Sequence, residues 1–519
     1  QLLGLSSWKV DRVYYRQHHL PSADSRLSLS QIAPRLDSTL NDYSRVPRLL
    51  VGQKLPSKES EYGFQLATST RRPTQRLSHL FQGLALNTDS QARRKLSVIP
   101  QGQLEKIQRQ TEQKRLLKNL LFSSDQRSPT LSSLNQVDTL TEGIPALKIP
   151  DTLYQLGSEL SGNGHHEMAI QIYLHLLEKY PSSPLTPILS KELLRFYNSE
   201  ELTWQLSRKN ESTSLSIGEE QGASSLSEKP TDLNGYALLK KNRRQLTTGA
   251  AEHFSQWAGP YANEPAQRLL QANVYKKLGN QKKAEDLYRQ LQQQTSSPLL
   301  KKVALAERWN FHRNGTPPKA HYFPTSTITK PFLDGKFDDP LWKTTTPLTL
   351  SPLADMASSQ GAPPLANNQV RIAFDDSFLY LAIQCKKKAT YQYNMNKRER
   401  TRDEDLSSYD RIQIHLDIDN DYSTGYRLEI DHRGHTHDQC IESPASWNPQ
   451  WFVANDEDEQ YWYLEIAIAH EEFSPSNDLR GEVWNCTLIR RTPGSPSQTW
   501  PAGSFPSAPL LGSGYLLFH

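Results

Sequence analysis

Sulfur is scarce in this chain: three cysteines, Cys385, Cys440 and Cys486, and three methionines in 519 residues. Three thiols cannot form a disulfide framework, at most one bridge can close, and no CxxC pair suggests a zinc ribbon. Cys385 and Cys486 fall in apolar runs that read as strands, where a thiol behaves as a small buried hydrophobe. Long apolar stretches are missing too: no run of about eighteen apolar residues, the least a spanning helix requires, occurs. Charge of one sign is not in excess. Sixty basic against fifty-six acidic residues leave a net charge of +4, too small a surplus for a nucleic-acid surface, and the recognition modules such a partner needs are absent. Also lacking are a GxSxG elbow, an HExxH helix, a phosphate loop and any carboxylate pair that stands out as an acid/base couple. The chain therefore reads as non-enzymatic.

Apolar residues make up 36% of the sequence and mean hydropathy is -0.69, so part of the length is expected to lack a packed core. Residues 1–150, dominated by Ser, Gln, Leu and Arg, read as a loosely structured or disordered segment with short helices. Within it Gln103 to Phe122 carries Leu104, Ile107, Leu116, Leu117, Leu120 and Leu121 mostly on one helical face among basic residues, a pattern that suits docking on the chain's own helices or on a membrane. The chain begins at Gln1 rather than Met, which reads as a processed product or a fragment, with any removed signal peptide invisible.

From Asp151 the pattern changes to helical pairs. In the first, Leu156 and Gly157 open the contact of one helix, Gly164 makes the turn, Ala169 and Tyr173 lie on the next, and Pro181 ends it. A second pair repeats this with Ala272, Tyr275, Gly279, Ala284, Tyr288 and Leu291, followed by Pro298. Small residues belong where two helices touch closely, and the aromatic fills the gap between hairpins. The two units resemble tetratricopeptide repeats without the Trp usual early in the first helix. The helical domain is expected over 151–314, with a disordered insert at 208–230 rich in Ser, Glu and Gly, and a Pro- and Gly-broken linker at 315–324.

Alternation dominates from Pro331 onward, within a sandwich domain expected over 325–519. In Arg411 to Asp419, Ile412, Ile414, Leu416 and Ile418 point one way and Arg411, Gln413, His415 and Asp417 the other, which predicts one buried and one wet face. Asn420 to Thr424 are turn formers, so this strand should pair as a hairpin with Gly425 to Asp431. Further strands are expected at 370–374, 378–385, 461–469, 483–490 and 514–518, an antiparallel sandwich. The fold class is thus α+β and multidomain.

The ordered set LDGKFDDPLW (Leu333 to Trp342), VRIAFDDSFLYLAI, SSYDRIQIHLD, YRLEID, WYLEIAI and GYLLF resembles the family 9 carbohydrate-binding module and its wider group of DOMON-like sandwiches. Asp334 and Gly335 would make a tight turn and Trp342 plug the sandwich end. The resemblance implies sugar binding without catalysis: Arg427 matches the sugar-binding arginine, and Gln413 stands where a carboxylate is expected. Ser407 falls near one clamping tryptophan and cannot stack, while Phe505 falls near the other. Trp447 and Trp451, around a polar Asn-Pro-Gln turn and joined by Trp462 and Trp500, offer a substitute platform beside Arg427.

Two metal patterns stand beside it. Asp417, Asp419 and Asp421 have a calcium-loop rhythm, although the glycine and closing glutamate of such a loop are out of register. His432, His435, His437, Asp438 and Cys440 cluster in sequence and could chelate zinc or copper. Met395 is the one methionine near the strands that could serve haem. The expectation is an exported protein that holds a glycan or cell-surface polymer with the sandwich and docks a protein partner on its helices. The alternatives are a structural envelope protein with no ligand, or an accessory subunit of a polysaccharide-degrading assembly.

Overall fold

The computed structural model describes five short strands before residue 70, and then residues 141, 146–214, 233–352, 368–389, 391–393, 402–441, 447–476, 478–504 and 506–519. The chain divides into two compact units, Gln1–Glu159 with Ser182–Ile188, and Leu160–Pro181 with Leu189–His519. Leu160–Pro181, the helices from Leu189 onward and the C-terminal sheets fall in the second unit.

In the first unit, β1 (Arg12–Gln17), β2 (Ser25–Ser28) and β5 (Glu61–Ser69) form an antiparallel sheet with β5 in the middle, and β3 (Ile32–Ala33) pairs with β4 (Ser38–Thr39). Short helices were expected here. The strand signal is the alternation of Tyr62, Phe64 and Leu66 with Glu, Gly, Gln and Ala, a period of two diluted by the Ser- and Gln-rich sequence around it. The amphipathic stretch 103–122 lies outside the described residues.

The helices are α1 (Ile149–Gly162), α2 (His166–Lys179), α3 (Thr186–Asn198), α4 (Glu200–Ser214), α5 (Leu233–Ala258), α6 (Pro265–Lys277), α7 (Gln281–Gln294) and α8 (Pro298–His312). Gly164 and Gly279 both adopt φ 80° at the turns after α1 and α6, where a side chain would be strained. Asn280 caps α7 by accepting from Lys283 N, and Ser297 caps α8 by accepting from Leu300 N, with Pro298 in the first turn. Ala272, Ala284, Tyr288 and Leu291 are buried together with Leu269, Val303 and Ala304, as the small-residue spacing predicted. Helix α4 runs through Ser214 into the stretch expected to be disordered, and 215–232 lies outside the described residues. Among the described residues no helix is long and apolar enough to cross a membrane.

The sandwich contains β6 (His321–Tyr322), β7 (Thr325–Ser326), α9 (Pro340–Thr344), β8 (Leu348–Thr349), β9 (Ser351–Pro352), β10 (Asn368–Phe374), β11 (Phe378–Lys386), β12 (Arg411–Asp417), β13 (Gly425–Asp431), β14 (Thr436–Ile441), β15 (Trp451–Glu457), β16 (Tyr461–Ala469), β17 (Val483–Arg491), β18 (Gln498–Trp500) and β19 (Gly514–Leu517). One sheet runs β15-β16-β11-β10-β7, with β8 beside β10. The other runs β14-β13-β12-β17-β18-β9, with β19 joining β17 to β6. All pairings are antiparallel except β7 with β10 and β6 with β19. The expected linker is therefore part of the sandwich: Tyr322 lies opposite Leu516, and both Lys319 and Tyr322 are buried.

Inward side chains of the two sheets meet in a core that is not wholly apolar. Arg490 of β17 pairs with Asp410 at 2.5 Å, and Asp410 also accepts from Trp462 Nε1 at 3.1 Å and Tyr393 Oη at 2.6 Å. Its four side-chain donors, Thr492 included, come from three segments, and because Arg490 and Trp462 belong to different sheets, the pair helps fix how the sheets register. At one end the opening motif behaves as predicted. Glu465 accepts from Asp334 N (3.0 Å), Gly335 N (2.7 Å) and the indole of buried Trp342 (2.6 Å). Gly335 has φ 85°, and a Cβ there would lie 2.7 Å from the Asn455 carbonyl carbon, so only glycine fits.

Candidate functional site

Strands β12, β13, β14 and β17 present their outer face as a row of polar side chains. The register sets Arg411 opposite Arg491, Gln413 opposite Glu429 and Ile489, and His415 between Arg427 and Thr487; Gln439 lies opposite Arg427 on β14. Cross-strand neighbours on one face lie close enough to bond. Arg427 donates from Nη2 to Gln439 Oε1 at 2.8 Å and lies 3.2 Å from Glu429. Arg491 donates from Nε to Gln413 Oε1 at 2.6 Å, and Arg411 from Nε to Glu429 Oε2 at 2.9 Å. The structure thus gathers Arg427 and Gln413 on one face, and adds Arg411, Arg491, Glu429 and Gln439, which the sequence reading had not singled out.

This face is less wet than alternation suggested. Gln413 and His415 are only 6% and 5% exposed, because long neighbouring side chains lie across them and Thr487 bonds the Pro509 carbonyl of an overlying segment at 2.7 Å. Among the described residues neither ring nitrogen of His415 has a hydrogen-bond partner. Burial, with Arg427 and Arg491 alongside, pushes its pKa down to about 3, so the ring is neutral and offers one donor and one acceptor. Ser407, at the clamp position, holds Arg411 through its carbonyl at 3.0 Å. Phe505 lies outside the described residues.

The tryptophan platform does not form. Trp447 is buried, packs 4.4 Å from the Tyr426 ring and near Phe473, and donates to the Glu472 carbonyl at 3.0 Å. Tyr426 points inward on β13, so Trp447 lies on the opposite side of the sheet from Arg427. Trp451 starts β15 of the other sheet and donates to Asp438. Trp462 and Trp500 are buried as well. An indole presents so much apolar surface that the core takes it when a cavity is within reach; four residues of spacing could not reveal which side of the sheet each ring would meet.

The three hairpin aspartates do converge, with a fourth carboxylate supplied by the helical body. Oxygens of Glu201, Asp417 and Asp419 lie within 4.8 Å of one another. Glu201 accepts from Ile418 N at 3.0 Å and from Thr424 Oγ1 at 3.0 Å. Asp417 accepts from Tyr422 N and Asn485 Nδ2, Asp419 from Glu200 N and Lys277 Nζ, and Asp421 from Ser423 N and Thr424 N. Every oxygen of the four carboxylates accepts a hydrogen bond and keeps a further lone pair, so Glu201, Asp417 and Asp419 stand as a group that could hold a cation. With no cation present, burial and the neighbouring carboxylates push Glu201 and Asp417 well up, and Asp421 up to about 6. Burial also opposes ionisation of Asp419, but the Lys277 ammonium at 2.9 Å overrides it and holds that carboxyl low.

The same turn anchors sandwich to helices. Asn420 and Tyr422 adopt φ 56° and 59°, a conformation costing about 1–2 kcal/mol for such residues. Tyr422 enters the helical core beside Ala272, Ala284 and Tyr288. Its hydroxyl donates to Glu307 Oε1 at 2.7 Å, and Lys276 pairs with the other oxygen at 2.8 Å. Asn273 Nδ2 donates to the Asp421 carbonyl at 2.6 Å. Neither Glu201 nor Tyr422 carried a sequence signal beyond an aromatic placed in an otherwise polar turn.

The histidine-rich stretch is dispersed. His432 is buried against Tyr391 and Tyr393, His435 pairs with Glu404 at 3.0 Å, and Asp438 faces Arg402 and Trp451. Successive positions on β14 point to opposite faces, so His437 and Asp438 cannot share a metal. Met395 lies outside the described residues. All three cysteines are buried and outside any disulfide, and burial pushes the Cys385 thiol up to about 12, making it inert.

No family model and no curated protein matches the chain. Among solved structures, a family 9 carbohydrate-binding module from Caldicellulosiruptor kristjanssonii in complex with glucose is similar to this chain at 10% identity, covering 38% of this chain and 96% of that one, with a TM-score of 0.28.

Proposed function

We propose that the chain binds a carbohydrate, without catalysis, on the outer face of β12, β13, β14 and β17. The observation that carries this reading is the gathering of Arg427, Gln413, Gln439 and the unbonded His415 on one face. Planar guanidinium and amide groups offer paired hydrogen bonds at the spacing of sugar hydroxyls. A neutral buried imidazole with two free nitrogens costs stability unless a partner completes it. The ordered motifs shared with family 9 modules add to the reading. The helical pairs, which resemble tetratricopeptide repeats, would serve as the docking scaffold for a protein, and export follows from the domain type.

The test is titration of the full chain with a panel of oligosaccharides, comparing wild type with Arg427→Ala and Gln413→Ala. Binding that weakens at least tenfold in both variants supports the proposal; no binding by the wild type, or binding indifferent to both changes, rejects it. The burial of Gln413 favours the competing reading, a filled and purely structural sandwich, which the second outcome would leave standing.

A further inference from the structure

Charge on the proposed binding face is unbalanced. Arg411, Arg427 and Arg491 converge there; among the described residues Glu429 is the carboxylate within bonding distance of them, bonded by Arg411 and close to Arg427, with Asp405 acting on Arg411 from further off. Arg411 and Arg491 occupy directly opposed positions on neighbouring strands, an arrangement that repels unless something negative lies between or above the pair. Arg491 spends its Nε on Gln413, a neutral amide, and among the described residues its two terminal nitrogens have no partner. Arg427 likewise spends Nη2 on the neutral Gln439. Beside them stands His415, both of whose ring nitrogens are unbonded among the described residues.

Resting on the carbohydrate reading above, we propose that the ligand is an acidic glycan, one whose ring carries a carboxylate that Arg427 and Arg491 grip and that His415 completes. Guanidinium matches carboxylate in a planar, two-point geometry that a neutral hydroxyl cannot offer. The absence of an aromatic at Ser407 fits the same picture, because affinity here comes from charge rather than from stacking on a pyranose face. A carboxylate above Arg491 also relieves the repulsion between Arg411 and Arg491. A ring-borne sulfate presents the same charge without the planar fork, so carboxylated and sulfated sugars separate in the test.

The experiment titrates the full chain with oligogalacturonate, a sulfated oligosaccharide, cello-oligosaccharide and free acetate, each at low and at physiological salt. Oligogalacturonate is expected to bind at least tenfold more tightly than the other three, to weaken as salt rises, and to lose at least tenfold in Arg427→Gln and in Arg491→Gln. Arg480→Gln, at an exposed site paired with Asp376, should leave affinity unchanged and controls for net charge. Thermal unfolding of each variant separates lost binding from lost fold. Cello-oligosaccharide binding as tightly as oligogalacturonate, with dependence on Arg427, overturns the acidic class and leaves the carbohydrate reading intact. Preference for the sulfated sugar overturns the carboxylate. Binding of no saccharide overturns both readings.

Discussion

Replacing Tyr422 with alanine should uncouple the sandwich from the helical body. The ring is 7% exposed among Ala272, Ala284 and Tyr288, and truncating a core aromatic of this kind costs about 3–5 kcal/mol. Its hydroxyl contributes separately: Tyr422→Phe removes a bond to the buried Glu307 carboxylate, worth about 1.5–3 kcal/mol, although Lys276 and Tyr515 still hold that group. The backbone at 422, with φ 59°, is unfavourable for any residue with a Cβ, alanine included. Tyr422→Gly should therefore be milder than Tyr422→Ala by roughly 1 kcal/mol, reversing the usual order of the two. Calorimetry and urea titration read the result. The wild type should unfold its helical body and sandwich in one transition, and the alanine variant in two, with the first at lower temperature. A single transition within about 1 kcal/mol of wild type, or an alanine variant more stable than the glycine one, would refute the argument that this side chain joins the two parts.

Three further outcomes follow from the buried polar groups. Glu201→Gln replaces an ionisable group in a cluster whose oxygens lie within 4.8 Å, where a second negative charge would be repelled by about 3 kcal/mol at an effective dielectric of 20. Because burial and nearby carboxylates raise Glu201 in the folded state, its stabilising contribution is full below the unfolded value and is lost as pH rises through the folded one. The glutamine variant should thus gain stability over wild type at pH 8 and match it at pH 4, measured by urea titration at each pH; a gain equal at both would count against the cluster. Arg490→Met leaves Asp410 charged and buried, and should cost about 3–5 kcal/mol, of which Asp410→Asn in the same chain recovers part; additive losses in denaturation would exclude a pair. Trp447→Ala should lower the melting temperature by core truncation while the folded fraction keeps its glycan affinity, and a selective affinity loss at unchanged stability would restore the platform reading.

The sandwich was legible because its strands obey a period of two and its opening motif needs one particular turn. Gly335 and Trp342 appear where expected, held by Glu465. The helix turns were legible for the same reason, since Gly164 and Gly279 each supply a conformation other residues resist. What could not be read was partnership across distance. Asp417, Asp419 and Asp421 look like hairpin-tip residues in sequence, and their neighbours Glu201 and Lys277 lie about two hundred and one hundred and forty positions away along the chain. The arginine face was half legible: alternation put Gln413 on the outside and the family resemblance pointed to Arg427, but only strand order brings Arg491 opposite Arg411. The tryptophans misled because hydrophobic size alone does not say which side of a sheet a loop will cross.

The face that carries Arg411 and the tip that carries Tyr422 are opposite ends of the same hairpin, and seven residues of extended chain cover only about 20 Å. Load applied to a polymer held at the arginines would run along β12 and β13 to the turn whose Tyr422 enters the helical core. The tyrosine, packed in that core and bonded to Glu307, is the rivet through which such a force would pass.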